Sequence, residues 1–462
     1  MRVLEQDAWG LERLGDMPEW LRRLDDHAEV HAALAEAIPG LQKSKLSRMR
    51  LKREAWTARC TVVLDGDEEG RHLAAVILPP GREPRTEAAS SGQPGDEGWR
   101  CWVPRLRIEL RSAEPEAKLA ALGLLTDPER ARTFLEHAIR AGTPAYRDLR
   151  IASAAPQVMR YSPGSRCTVL YRLGFEDGDA GRKWPSIVVA KTYHRSDKGQ
   201  IAWDGMRRLW ESALARSETV TIAEPLAWVP EDKILVQGPI PEDRTLKELL
   251  LEKLAPNGGG LDDELRSFLA QTAAGLVELH HSGATSSVSA TWEEELAEVR
   301  EVLGRLTETL PQLAGIADPW LDHLERLAAE TPVDSPVAAH RSFRPAQVLL
   351  HGDDIGFIDF DGFCRAEPAL DVALFRATAR DLSMSVLDPG LPLDSRLAAV
   401  EDLCDYFCSC YEEHAPISRS RLALWEALDL FTNVLHSWTK VKPDRLSLAL
   451  ALTQHHTRAS SE

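Results

Sequence analysis

Apolar positions recur along the chain in two different periods. Between Pro18 and Ile38, the residues Leu21, Leu24, His27, His31, Leu34 and Ile38 share one helical face, and Pro18 suits a first turn, so a helix is predicted there. A second helix is predicted from Pro128 to Ala141, and Arg105–Ser112 reads as a strand. Two segments predict β-hairpins. In the first, Arg59-Cys60-Thr61-Val62 leads through an acidic glycine turn, Asp65 to Gly70, into the apolar run Ala74 to Leu78. In the second, Arg166-Cys167-Thr168-Val169 leads through a turn between Glu176 and Gly181 into Ile187-Val188-Val189-Ala190-Lys191. The two tetrapeptides lie 107 residues apart. This echo predicts duplication of a strand-rich subdomain, with chance sharing of a tetrapeptide as the alternative.

From about residue 245 the period becomes helical. Leu261, Leu265, Phe268, Leu269, Thr272, Leu276, Val277 and His280 form one stripe, and Asp262 and Asp263 suit the start of its helix. Further helices are predicted at Trp292–Leu310, Asp318–Ala329, Arg396–Glu413, Arg419–Trp438 and Asp444–Gln454. The expected class is α+β, with an N-terminal α+β domain over 1–150, a strand-rich lobe over 151–244 and a helical lobe over 245–462. Residues 79–98, rich in Pro, Gly, Ser and charge, are expected to form a disordered loop.

Composition narrows the function classes. The 72 acidic residues against 55 basic ones give a formal charge of −17, which argues against a nucleic-acid partner. No run of apolar residues is long enough for a membrane span, and the charged MRVLEQD start lacks the apolar core of a secretory signal. A cytoplasmic protein without a membrane partner is expected. Seven cysteines, an odd number spread over a long chain, suggest free thiols. Cys404, Cys408, Cys410 and His414 lie on a predicted helix that does not bring them to one face, so buried thiols are expected rather than a metal cluster.

The chemistry concentrates in Val337–Asp371. Two short apolar runs, Val348 to Leu350 and Ile355 to Ile358, are joined by the turn His351-Gly352-Asp353-Asp354. Residues just outside that hairpin must therefore converge: His340 to Gln347 on one side, Asp359 and Asp361 on the other.

These residues resemble the aminoglycoside phosphotransferase and choline kinase-like family, which has the protein-kinase-like bilobal fold. The segment His340 to Gln347 is similar to the family's catalytic loop, and Ile358-Asp359-Phe360-Asp361 to the strand end whose aspartate holds Mg²⁺. The resemblance implies a phosphotransferase that uses ATP and Mg²⁺. Asp359 and Gln347 would be metal ligands, and Asp371 would brace the loop through backbone N–H groups. Lys191 would reach the nucleotide phosphates with Glu211 as its partner, although Asp204 competes for that place. Gly164 would lie in the phosphate-covering loop, and Gln237-Gly238 in the hinge that meets adenine. His340, Ser342 and Arg344 fall at the catalytic positions, Arg344 where a cation touches the transferring phosphate. His351-Gly352-Asp353 spells the family's catalytic tripeptide, but it lies too close to Asp359 and reads as a hairpin turn.

One departure bears on activity. Ser342 stands where the family has its catalytic aspartate. A positioned base is worth roughly 10²- to 10⁴-fold, and most of phosphoryl transfer comes from alignment and charge. Three readings stay open: a slow or altered phosphotransferase, a nucleotide-binding pseudokinase acting as a binding or scaffold module, and a module that binds no nucleotide. The expected acceptor is a small-molecule hydroxyl or amine, or a peptide side chain. The acidic run Glu293-Glu294-Glu295 with Glu298 reads as a solvated helix face, or, because the resembled family has this region before its acceptor cleft, implies a cationic acceptor; the N-terminal domain could receive a protein partner.

Overall fold

The computed structural model describes residues 9–82, 84, 92–112, 121–162, 166–176 and 183–459. The chain forms two compact units: Met1–Glu114 with Trp292–Pro332 and Ala423–Glu462, and Pro115–Thr291 with Val333–Leu422. These divisions differ from those expected at 150 and 244. Residues 115–150 join the second unit, and two stretches of the expected helical lobe join the N-terminal one.

The first unit holds an antiparallel sheet of β1 (Leu41–Lys52), β2 (Ala55–Leu64), β3 (Arg71–Ile77), β4 (Arg100–Val103) and β5 (Ile108–Ser112), in the order β1-β2-β3-β5-β4. The single helix expected over 18–38 is broken at Asp26. Its carboxylate accepts from the N–H groups of Ala28 at 2.9 Å and Glu29 at 3.1 Å, so a new helix starts at His27. That helix, His27–Ala37, packs on β1 and β4. Long-range indole bonds fasten the unit: Trp56 Nε1 donates to Trp438 O at 3.3 Å, and Trp438 Nε1 to Leu14 O at 2.9 Å. Part of the expected disordered loop is held in place, because Arg71 donates to Gln93 Oε1 at 2.9 Å and Pro94 O at 3.0 Å. Residues 83 and 85–91 of that loop lie outside the described residues.

The second unit opens with the helix Pro128–Gly142 and continues through β6 (Ser153–Ser162), β7 (Arg166–Gly174), β8 (Ile187–Thr192), the helix Ser196–Glu211, β9 (Val220–Ile222), β10 (Pro225–Val229) and β11 (Ile234–Gln237). Cys167, Val169, Tyr171 and Leu173 alternate inward along β7 and join Val188 and Ala190 in the core. The sheet order is β6-β7-β8-β11-β10, all antiparallel. Numbering the five strands of each sheet in chain order gives 1-2-3-5-4 twice. In each case the preceding helix packs on the first and fourth strands: β1 and β4, then β6 and β10. The echoed tetrapeptides fall at different ends of their hairpins: Thr61, opposite His72, lies beside the turn, whereas Thr168, opposite Lys191, lies at the open end. Counted from the open end, the third residue of β7 faces Lys191 and the third residue of β2, Thr57, faces Val76, so the strand position of Lys191 is occupied by Val76 in the first sheet.

Below this sheet in the sequence, β12 (Arg244–Thr245), β13 (Val337–Ala339), β14 (Val348–His351), β15 (Asp354–Phe357) and β16 (Cys364–Ala366) form two small sheets, β12-β14-β15-β9 and β13-β16. The helices Asp263–His280, Pro368–Val386 and Leu393–Glu412 pack together beside them. All seven cysteines are buried thiols outside any disulfide, and burial pushes the Cys60 thiol up to about 12. Among the described residues, no helix is long and apolar enough to cross a membrane.

Candidate active site

Two strand ends bring the charged groups together. Lys191 near the end of β8 places its Nζ 2.5 Å from Asp359 Oδ1 and 2.5 Å from Asp361 Oδ2, just beyond β15. Tyr193, two residues on and so on the same face, donates from its hydroxyl to Asp361 Oδ1 at 2.7 Å. Asp359 adopts a left-handed conformation, φ 70°, a sparsely populated state for a non-glycine residue that concentrates at functional sites. Burial raises the affinity of its carboxyl for a proton, but the charge and hydrogen bond of Lys191, with His340 and Arg166, hold it below the ordinary carboxylate range. Burial and Asp361 push the Tyr193 phenol far above its ordinary value, so it remains a donor.

The loop facing this cluster is fixed by one buried carboxylate. Asp371 Oδ2 accepts from His340 N at 2.6 Å, and its Oδ1 from Arg341 N at 2.8 Å. His280 Nε2 lies 3.3 Å from the same Oδ2, and its Nδ1 lies 2.8 Å from Tyr411 Oη. The His340 ring spans the site: Nε2 donates to Ile358 O at 2.9 Å, and Nδ1 lies 3.2 Å from Ser342 Oγ. Gln347 closes a short helical turn after Pro345, and its carbonyl accepts from Ile358 N at 3.1 Å, which ties it to the residue before Asp359.

Gln347 Oε1 is buried and has no hydrogen-bond partner. An orphaned amide oxygen and a carboxylate, on residues whose backbones are tied through Ile358, are hard-oxygen donors of the kind Mg²⁺ prefers. The residues present therefore fit the divalent cation that the family resemblance implies.

The other expected site residues fall as follows. Glu211 is exposed and pairs with Arg207 at 2.9 Å, so the partners of Lys191 are the two aspartates instead. Asp204 accepts from Gln200. Gln237 ends β11, and Gly238 N donates to Glu224 O at 2.7 Å. Arg344 is exposed. Gly164 lies outside the described residues. His351 and Asp354 face each other across the β14–β15 turn, where Asp243 Oδ2 takes Gly352 N at 3.1 Å and lies 3.1 Å from His351 Nδ1. Cys404, Cys408 and Cys410 are buried, and among the described residues no group of three or more histidine, cysteine, aspartate or glutamate side chains is placed to hold a metal. The sequence reading missed Tyr193, although the period of two from Lys191 along β8 could have found it.

Residues 237–393 match the model of the phosphotransferase enzyme family, APH. The matched segment carries Gln237, the His340-to-Gln347 loop, Asp359, Asp361 and Asp371. Among solved structures, an ADP-bound aminoglycoside phosphotransferase, APH(2'')-Ib, is 13% identical with a TM-score of 0.45, covering 68% of this chain and 96% of its own. A choline kinase from Cryptosporidium parvum is 14% identical with a TM-score of 0.43, covering 71% and 95%. A glucosamine kinase is 13% identical with a TM-score of 0.46, covering 95% and 98%. No curated protein matches the chain.

Proposed function

We propose that the chain is an ATP- and Mg²⁺-dependent phosphotransferase of the small-molecule kinase type, acting on a hydroxyl or amine of a small molecule or on a peptide side chain. The observation that carries this reading is the convergence of Lys191 on Asp359 and Asp361, together with the buried, unpartnered Gln347 Oε1. Asp359 and Gln347 would hold the metal, which neutralises phosphate charge when bound. Lys191 neutralises two carboxylates and would offer its ammonium to phosphate oxygens. Gln237 and Gly238 offer backbone groups to the base, and Arg344, on the exposed side of the loop, offers a cation to the transferring group. Asp371 keeps the loop in place while these groups act.

The repeated 1-2-3-5-4 order supports reading the N-terminal sheet as a second, degenerate copy of the lobe that carries Lys191. With Val76 at the strand position of the lysine, that copy binds no nucleotide and serves as a docking or covering surface. The test of the main reading is a melting series with MgATP. A ligand that binds only the folded chain stabilises it by about 2.7 kcal/mol at a hundredfold excess over Kd. The reading requires a rise in Tm that Asp359→Ala abolishes, and is lost if millimolar MgATP shifts neither protein.

A further inference from the structure

The Ser342–His340 pair has the arrangement of an activated nucleophile. Ile358 O can only accept, so the 2.9 Å bond fixes the ring proton on His340 Nε2. In the neutral ring Nδ1 is then a bare acceptor, and the Ser342 hydroxyl 3.2 Å away donates to it. A hydroxyl on a base, with the base oriented by a third group, is the signature by which serine nucleophiles are recognised. We propose that Ser342 is itself a phosphoryl acceptor, taking the γ-phosphoryl group of a bound nucleoside triphosphate to become a phosphoserine. This rests on the phosphotransferase reading and names an acceptor for it within the chain.

The step balances without another reactant. Ser342 Oγ forms a bond to the γ-phosphorus, its proton passes to His340 Nδ1, and the bond from that phosphorus to the β-phosphate oxygen breaks. The nucleoside diphosphate leaves with the electron pair. The resulting imidazolium keeps its Nε2 proton on Ile358 O.

The local backbone holds the hydroxyl in place. Arg341, immediately before Ser342, is left-handed at φ 63°, and its N–H and that of His340 are both held by Asp371. A Cβ at Gly362 would come within 3.2 Å of His340 O and 3.3 Å of Arg341 Cβ, so glycine there makes room for this turn. His340 is fully buried, while Ser342 is partly open. The base is shielded and the nucleophile can be reached.

The experiment incubates the full chain with MgATP and reads intact mass, phosphopeptides and Tm on the same samples. The expected result is the mass of one added phosphoryl group, mapped to Ser342. Ser342→Ala should lose it while keeping the MgATP-induced rise in Tm. His340→Gln, which retains a donor for Ile358 O but no base, should slow phosphoserine formation by about 10²- to 10⁴-fold with that rise intact. A protein that MgATP stabilises and that releases ADP without ever carrying phosphate on Ser342 overturns the inference and leaves the phosphotransferase reading standing. No rise in Tm overturns both.

Discussion

Asp371 Oδ2 accepts from the backbone N–H of His340 at 2.6 Å, linking a fully buried helix residue to a loop that lies 31 residues earlier in the chain. Because its other oxygen holds Arg341 N, both carboxylate oxygens are engaged by the loop at once. Asp371→Asn turns an amide N–H toward one of these donors. A loss of about 1–3 kcal/mol is expected, the usual penalty for an unsatisfied buried group. Denaturant unfolding measures it, and a change within a few tenths of a kcal/mol would show that the carboxylate does not hold the loop.

Lys191→Met leaves Asp359 and Asp361 facing each other without their cation. MgATP should bind about ten- to a hundredfold more weakly, as expected for loss of a charged hydrogen bond. The pH dependence has a definite sign. In the wild type the Asp359 pKa is held below its ordinary 3.8, so the pair's contribution is present above that value and is lost as pH falls through the folded value. The Tm deficit of Lys191→Met should therefore be largest near neutral pH and shrink in acid. A deficit that does not change between pH 7 and pH 3 would contradict the pairing.

The tripeptide His351-Gly352-Asp353 is a turn whose groups are engaged by Asp243. Asp353→Ala should leave ATP turnover within about twofold, and Asp243→Ala should leave stability nearly unchanged, as for an exposed pair. If turnover survives Asp359→Ala but not Asp353→Ala, the catalytic loop has been misplaced.

Arg421 and Glu367 form a buried ion pair, with Arg421 Nε donating to Glu367 Oε2 at 2.7 Å and a second bond from Nη2 to Oε1. Arg421→Met strands the carboxylate and should cost about 3–5 kcal/mol. The double variant Arg421→Met with Glu367→Leu should recover most of that loss, since a buried apolar pair is often as stable as the ion pair it replaces. Chemical denaturation of the three proteins decides it.

The site was legible because short-range pattern dictates it. The β14–β15 hairpin brings His340 to Gln347 against Asp359, and the alternating run into Lys191 identifies a strand end. The partner of Lys191 was not legible. Glu211 lies at a plausible spacing, but its helix turns it outward to Arg207, and only the tertiary structure brings residues 359 and 361 to the lysine. The unit boundaries escaped for the same reason. Trp438 belongs with Leu14 and Trp56 through bonds that span most of the chain, and no local period encodes them. The break at Asp26 was encoded, since an aspartate before His27 is a strong N-cap, but the apolar stripe running through it masked the signal.

Complete burial of the cysteines makes the native chain almost blank to thiol chemistry, because only an exposed thiolate reacts and burial disfavours that form. A single cysteine placed on an exposed position, such as Trp210 on the helix after β8, would therefore take a fluorophore at one place without removal of the native seven. Because thiols such as Cys60 and Cys167 become reactive only on opening of the core around them, the rate of their alkylation would also report local unfolding of the two five-stranded sheets separately.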